Sequence, residues 1–542
     1  MPVFVDQLGY LPDAAKIAMT EGPCNYQVIR LDDQRSVADG VSGEGVYDAA
    51  SGSNVYPIDF SDLKVPGSYY ILAGNGEKSP VFQIENDLYD APLKDVLRCL
   101  YYQRCGTALL PEHAHEYTHP ACHLEPAITL EDYLGKITAP ETYDVTGGWH
   151  DAGDYGRYVT AGSVTVSHLL YAYERYPEAF DFSMNIPESE NNMPDVLNEC
   201  LVELKWLLKM QRIDGSTWHK VTTFMHAEFI MPEDDHDRLL LFPPSTMATA
   251  DFAAAMAQAS RVYRPFLPDF ADEALAAARR AYAWVKAHDY IPFHNPEGSN
   301  TGEYDDHTDA DERLWAAAEM LRSDPENAAE YLQDLEILNA QCEGKTGFGW
   351  RDVSGLASMS ILTDENKRAG KLIESFRKAV LNEALRLMQM IRKKGWHLAM
   401  NENEFEWGSN MVVLNRGMIL SLASLIDTKN AKAFRAGILS HLHYLFGRNP
   451  MNVSYVTGYG ENAYMHPHDR VMEVDGIDNP IPGYVSGGPF GDFCDDISLD
   501  LLAKDTPPMK CYVDHCDSYS TNEITIYWNT PLIFLLAHLK TK

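Results

Sequence analysis

The chain has 542 residues, 45% of them hydrophobic and 11% aromatic, and carries a formal net charge of −35 at pH 7. That length exceeds one ordinary core and calls for two domains, while the apolar content excludes a disordered chain. The charge opposes phosphate backbones and anionic lipid surfaces as partners, because either needs clustered Lys or Arg to displace counterions, and it suits a neutral or cationic small substrate or serves solubility alone.

Met1-Pro-Val-Phe-Val-Asp6 lacks the basic stretch and apolar run of a secretory signal, and nine cysteines without tight spacing read as reduced thiols, so a cytoplasmic location is expected. From Met1 to about Ile84, β-rich stretches such as Tyr26–Arg30 and Ser68–Leu72 alternate with Gly, Pro, Asn and Asp clusters. This predicts a small β-sandwich over 1–86 and a second domain over 87–542. Beyond Asn86 the period becomes helical. Met193, Val196, Leu197, Cys200, Leu201, Leu204, Leu207 and Leu208 share one helix face. Similar spacing predicts helices roughly over 91–104, 158–175, 247–263, 268–288, 308–322, 327–339, 368–393, 411–427, 431–446 and 524–540. Segments 106–157, 214–246, 340–367 and 448–522 are irregular, and loops of that length in a compact domain usually carry a site. The longest apolar run, Pro531 to Leu539, is about half of the ~20 residues that cross a bilayer, so no membrane span is expected.

Four groups of residues carry chemistry. Gly147-Gly-Trp-His-Asp-Ala-Gly-Asp-Tyr-Gly156 sets Asp151 and Asp154 about a turn that Gly153 is expected to relax, so that both carboxyls face one space. Close carboxylates can orient a water while one acts as general base, although a plain Asp/Gly turn or a calcium loop fits the same spacing. Glu523, with Ser520, Thr521 and Asn522 ahead of it as caps, reads either as a first-turn residue of the last helix or as an acid whose proton is retained among Tyr519 and Trp528. His468 and Arg470 offer fixed donors to ligand hydroxyls or a structural pair, and Trp407 a stacking platform or a core residue. Cys105, Cys122, His123 and His150 suit tetrahedral zinc by donor type, but their spacing matches no compact finger and fits buried thiols and loop histidines as well.

Taken together, several motifs in order along nearly the whole chain resemble glycoside hydrolase family 9, which includes many cellulases. They are Asp6-Gln-Leu-Gly-Tyr-Leu-Pro12, Tyr101-Tyr-Gln-Arg-Cys-Gly106, Gly147 to Tyr158, then Ser454, Val456, Thr457, Gly460, Asn462, Pro467, His468 and Arg470, and finally Tyr512, Asp514, Tyr519, Glu523, Thr525, Asn529 and Thr530. The resemblance implies a mainly α protein, an immunoglobulin-like β-sandwich followed by an (α/α)6-barrel catalytic domain. It implies an inverting glycoside hydrolase of β-1,4 bonds between glucose-type sugars, with Asp154 as general base, Asp151 as its partner on the nucleophilic water and Glu523 as general acid. Trp407, His468, Arg470 and Tyr519 would line the subsites. It also implies a structural zinc on Cys105, Cys122, His123 and His150, bracing the loop of Asp151, and admits calcium with no ligands assigned.

With no appended cellulose-binding module and a cytoplasmic setting, the expected substrate is a short oligosaccharide. The reading is an exo-acting β-glucosidase or exo-β-glucosaminidase on cello- or glucosamine-oligosaccharides. An endo-β-1,4-glucanase on soluble glucan is the alternative within the class, and a carbohydrate-binding protein without turnover the alternative outside it. The loops Met231–Arg238 and Glu303–His307 read as pocket walls or as solvated loops, and Phe490 departs from the family, where Asn would follow the proline of Gly487-Gly-Pro.

Overall fold

A computed structural model of the protein describes residues 2–136 and 141–541. Met1, Lys542 and residues 137–140, the last inside the expected irregular segment 106–157, lie outside the described residues.

Nine strands come first: β1 (Val3–Phe4), β2 (Gly9–Tyr10), β3 (Ile17–Thr20), β4 (Asn25–Arg30), β5 (Ser36–Val41), β6 (Val46–Asp48), β7 (Ser53–Asp59), β8 (Gly67–Ala73) and β9 (Phe82–Ile84). They form two sheets, ordered β1-β3-β7-β6 and β2-β9-β8-β4-β5. The expected stretches at 26–30 and 68–72 are β4 and β8, paired antiparallel with Tyr26 opposite Ala73 and Arg30 opposite Tyr69. Alternate residues turn inward, and Val5, Tyr10, Val28, Ile58, Phe60, Tyr69, Ile71, Phe82 and Ile84 close a core of their own between the sheets.

Twelve helices of ten or more residues follow among the described residues: α1 (Asp90–Tyr102), α2 (Val159–Arg175), α3 (Asp195–Met210), α4 (Thr246–Val262), α5 (Pro268–Ala287), α6 (Ala310–Ser323), α7 (Ala328–Gln341), α8 (Ser354–Thr363), α9 (Ile373–Lys393), α10 (Ser409–Ile426), α11 (Ala431–Leu445) and α12 (Ile526–Lys540). The protein is therefore mainly α, preceded by a β-sheet domain. Eleven of these helices fall where apolar spacing puts them. The exception is α8, inside the segment expected to be irregular. Its residues Ser354 to Ile361 are all buried, so it has no polar face and shows no amphipathic period.

Helix packing follows a simple rule. Helix α2 packs on α4, α4 on α6, α6 on α8, α8 on α10, α10 on α12, and α12 back on α2. The odd-numbered helices lie against these: α1 on α12, α3 on α2, α5 on α4, α7 on α6, α9 on α8 and α10, and α11 on α10. Side-chain burial agrees. Helices α2, α4 and α12 are buried almost throughout, whereas α9 buries the stripe Phe376, Val380, Ala384, Leu387, Met388 and Ile391 and leaves the rest to solvent. Helix α10 is long and apolar enough to cross a membrane, but 72% of it is buried inside the protein, between α9, α11 and α12.

The two parts are joined by a polar clasp. Asp6 accepts from the N–H groups of Leu8 and Gly9 at 2.9 Å each and from His443 Nδ1 of α11 at 2.6 Å. Gln7 donates its N–H to Phe446 O at 2.8 Å and its Nε2 to Asn452 O at 3.0 Å, while its Oε1 accepts from Asn462 N at 2.8 Å. The Asp-Gln-Leu-Gly-Tyr segment thus holds the chain that leads on to His468 and Arg470.

Candidate active site

Segments ahead of the even-numbered helices meet in one cleft. Tyr158 precedes α2, Lys220 and His226 precede α4, Tyr304 precedes α6, Trp350 precedes α8, Trp407 precedes α10, and Glu523 precedes α12. The Tyr304 ring lies 4.7 Å from Tyr158, 4.9 Å from Trp350 and 6.1 Å from Tyr527, which ties four of these segments together. Helix N-termini gathered this way favour anionic groups among them.

Asp151 and Asp154 occupy the loop before α2. Asp151 O accepts from Ile526 N at 2.8 Å, the first residue of α12, and Ala152 is bridged to Thr525. This main-chain crossing brings the two distant motifs into one site. Gly153 does not adopt a left-handed backbone, contrary to the expected relaxed turn. Glycine is required there because a Cβ would stand 2.0 Å from His468 O, so the loops of Asp154 and His468 meet at main-chain distance. Arg470 strengthens that junction, donating Nη1 to Gly153 O at 2.7 Å and Nε to Ala227 O at 2.8 Å.

Glu523 is not a first-turn residue of the last helix, as one sequence reading had it. Helix α12 starts at Ile526, and Glu523 lies in an extended link between it and the single turn Tyr519–Asn522. The expected caps are engaged elsewhere: Ser520 with Asp495, Thr521 with Val513, and Asn522 with Asp514 and Tyr512. Glu523 is held by its main chain instead, accepting from Gly487 N at 2.8 Å and bridging to His468.

Electrostatics separates the three carboxyls. Burial, followed by the charges of Asp154 and Asp151, pushes Glu523 well above its ordinary range, with Arg470 and a Trp407 hydrogen bond opposing. Asp154 is also buried, which alone would raise it. His226, Arg470 and the Gly156 N–H instead hold it well below the usual carboxylate range. Asp151 is pushed well up by burial, against a hydrogen bond from the Tyr304 hydroxyl to its Oδ2, while its Oδ1 is buried with no protein partner among the described residues. Of the two aspartates, the one kept ionised is Asp154.

The remaining side chains form the walls. Trp407 and Tyr519 are 42% and 37% exposed, so neither is a core residue, and their rings lie 5.5 Å apart. Phe490 stands 6.5 Å from Trp407, which places the departure from the family pattern beside this platform. His468 donates Nδ1–H to Cys516 O at 2.5 Å, and burial lowers it to about 4, so a neutral imidazole turns Nε2 outward as an acceptor.

Behind the aspartates, Cys105, Cys122, His123 and His150 are all buried, with one ligand atom from each within 4.8 Å of the others. Cys122 Sγ is 3.9 Å from His150 Nε2, which is 3.4 Å from His123 Nδ1. His123 Nε2 faces Asp235 Oδ2 at 3.3 Å, the carboxylate support that a ligating imidazole commonly has. Two thiols, two imidazoles and this support fit a closed tetrahedral metal site.

Sequence reasoning missed Tyr304, Tyr158, His226 and Lys220. The one available signal was position: Tyr304 stands in the acidic loop Glu303–His307, read as a pocket wall or a solvated loop, and the structure gives it a positive φ of 51°.

Comparison with known proteins agrees along the whole length. Residues 89–536 match Glycosyl hydrolase family 9, and residues 1–78 match the Cellulase N-terminal ig-like domain. A cellodextrinase of Butyrivibrio fibrisolvens is 43% identical over 99% of this chain and 99% of its own. A single mutant of a thermostable endoglucanase from Alicyclobacillus acidocaldarius superposes with a TM-score of 0.91 at 35% identity, covering 100% of both chains. A zinc-binding triple mutant of the family 9 endoglucanase J30 superposes with a TM-score of 0.90 at 33% identity, over 98% of this chain and 99% of the other. With motifs, cleft and full-length similarity in agreement, the chain belongs to glycosyl hydrolase family 9.

Proposed function

We propose that the protein hydrolyses β-1,4 bonds between glucose-type sugars with inversion, acting from chain ends on short cello- or glucosamine-oligosaccharides. The observation that carries this reading is the opposite tuning of two carboxyls across one cleft: Glu523 retains its proton and Asp154 gives its proton up. Glu523 protonates the leaving glycosidic oxygen while Asp154 takes a proton from the attacking water, and Asp151 Oδ1 orients that water. Trp407 and Tyr519 stack on sugar rings beside the cleaved bond, and His468 accepts a hydroxyl hydrogen. The 43% identity to a cellodextrinase supports short substrates, and the likeness to an endoglucanase favours the second reading, internal cleavage of soluble glucan. Incubation with cellobiose, cellopentaose and glucosamine disaccharide, resolving product length and anomer, separates the two. Single sugars of inverted configuration support end-wise action, mixed lengths the internal mode, and a retained anomer overturns the inverting mechanism.

The same reading extends to architecture and cofactors. The division into an immunoglobulin-like domain over 1–86 and a catalytic domain over 87–542 is supported by the change from strands to helices between Ile84 and Asp90. An (α/α)6 barrel is supported by the closed circuit of α2, α4, α6, α8, α10 and α12 inside six others. Cys105, Cys122, His123 and His150 would hold a structural zinc, whose chemistry is to fix the loop of Asp151 with no open position. For calcium, the supporting feature is a second buried cluster, Asp306, Asp311 and Glu312, in which Asp306 Oδ2 and both Glu312 oxygens have no protein partner among the described residues. Nine unpaired cysteines support a reducing, cytoplasmic setting, which cell fractionation tests.

A further inference from the structure

Lys220 opens the short strand Lys220–Thr222, which pairs with Arg157–Tyr158 so that Lys220 stands opposite Tyr158. Its side chain is fully buried, and among the described residues its ammonium touches neutral oxygens alone: Asn295 Oδ1 at 2.7 Å, Thr301 Oγ1 at 3.0 Å and Gly302 O at 2.5 Å. The rings of Phe242, Phe293 and Tyr158 surround it, with centroids 4.5, 5.3 and 5.5 Å from Nζ. An ammonium taken out of water is costly unless each of its three N–H groups finds an acceptor, and the face of an aromatic ring adds attraction. Here the three acceptors all come from one loop, 295–302, so satisfying a single buried cation fixes the course of that loop.

What the loop leads to is Tyr304, two residues beyond Gly302, in a left-handed backbone that costs a tyrosine energy. The residue before Lys220 adds a second anchor. His219 donates Nε2–H to Glu303 O at 2.9 Å, and its ring is stacked on Phe293 at 3.8 Å. Two successive carbonyls, those of Gly302 and Glu303, are thus tied to two successive side chains of one strand, and the next residue is Tyr304. Its hydroxyl donates to Asp151 Oδ2 and lies 3.3 Å from the Tyr527 hydroxyl.

We propose that Lys220 is a positioning residue: by gathering Asn295, Thr301 and Gly302 around its ammonium it sets the Tyr304 hydroxyl on Asp151, and so fixes the carboxyl that orients the attacking water. Lys220 makes no contact with Asp151 itself and acts on it through the loop. The charges of Asp154 and Glu303 also act on Lys220 through space. A field felt at Asp154 needs no Tyr304 hydroxyl, whereas an effect carried by the loop vanishes once that hydroxyl is gone. This difference makes the two roles separable.

The inference rests on the reading of Asp151 as the partner of the base, and the test keeps the two apart. Lys220→Met, close in length but without N–H or charge, is made in the full-length chain together with Tyr304→Phe and the double variant, with thermal melts to establish folding. All are assayed on cellopentaose at about pH 6, below the value of about 7 to which burial lowers Lys220, so that the wild-type amine is charged. Lys220→Met is expected to lose about 10-fold in kcat, as Tyr304→Phe does, with KM changed less than about twofold. The double variant is expected to lose no more than about twofold beyond either single one, because both changes remove the same arrangement. Where Lys220→Met does not fold, Thr301→Val removes one acceptor of the ammonium and is expected to lose about threefold in kcat, again absorbed by Tyr304→Phe. Losses that multiply in either double variant overturn the proposal and assign Lys220 to the field at Asp154. Wild-type kcat in the folded single variant, or a loss carried by KM, overturns it as well and leaves the lysine a structural role. Activity that persists in Asp151→Asn counts against Asp151 as the partner of the base, whatever the Lys220 variants do.

Discussion

The two halves of the cleft differ in how they tune a carboxyl. On the side of Asp154 the carboxylate is buried but ringed by donors: His226, Gly156 N–H and the Tyr158 hydroxyl touch it, and Arg470 lies close by. On the side of Glu523 the carboxyl is partly exposed at its surface, yet one Trp407 hydrogen bond and the charge of Arg470 are all that oppose desolvation and two like charges. Desolvation is common to both, so it alone decides neither role. What decides is whether donors accompany it, and this cleft supplies them on one wall only.

The contrast breaks most visibly by mutation of the two carboxyls. Asp154→Asn is expected to lower turnover by about 10³–10⁴-fold on oligosaccharides and on activated aryl glycosides alike, because water attack is needed by both. Glu523→Gln is expected to lose about 10²–10⁴-fold on oligosaccharides and far less on aryl glycosides, whose leaving groups need little protonation. The pH profile sharpens this. In the proposed mechanism activity needs Asp154 ionised and Glu523 protonated, so with one lowered and the other raised, kcat/KM is expected to fall on the acid side as Asp154 gains its proton. The alkaline fall is expected as Glu523 loses its own. Glu523→Gln should abolish the alkaline limb and keep the acid one. Equal, small effects of both substitutions, or an alkaline limb that survives in Glu523→Gln, would reverse the assignment.

Tyr304→Phe tests the donor side more gently. The hydroxyl supports Asp151 Oδ2, and its loss is expected to lower kcat about 10-fold with little change in KM, as measured on cellopentaose. Smallest for chemistry is the brace behind the aspartates. Cys105→Ser is expected to remove bound zinc, seen by elemental analysis, and to lower the melting temperature by several degrees, with a lesser effect on turnover. Asp235→Asn, which removes the support of His123, is expected to weaken metal binding by about 10–100-fold while keeping the ligands. Wild-type protein free of zinc after metal-replete expression ends this part of the account.

Much of the framework is legible in the amino-acid sequence. Amphipathic spacing located eleven of the twelve long helices, because a helix with one wet face repeats its apolar residues every three to four positions. It failed at α8, whose sequence Ser354-Gly-Leu-Ala-Ser-Met-Ser-Ile361 is buried throughout and therefore has no face to announce. The motifs named Asp151, Asp154, Glu523, Trp407, His468, Arg470 and Tyr519, and these converge on one cleft. Tyr304 and His226 were hidden because their importance lies in what they touch, and neither loop carries a spacing that singles the residue out.

Composition, period and motif order determined by themselves the class of chain, its helical framework, the β-rich start and the candidate carboxyls. These are local properties, written in residue type and spacing along a few turns. The tertiary structure decided which carboxyl is kept ionised and which keeps its proton. Main-chain crossings such as Ile526 N to Asp151 O, and the missing Cβ of Gly153 against His468 O, bring distant segments within van der Waals reach. A proton's affinity for a carboxyl depends on every charge and donor within a few ångströms, and those neighbours come from elsewhere in the chain.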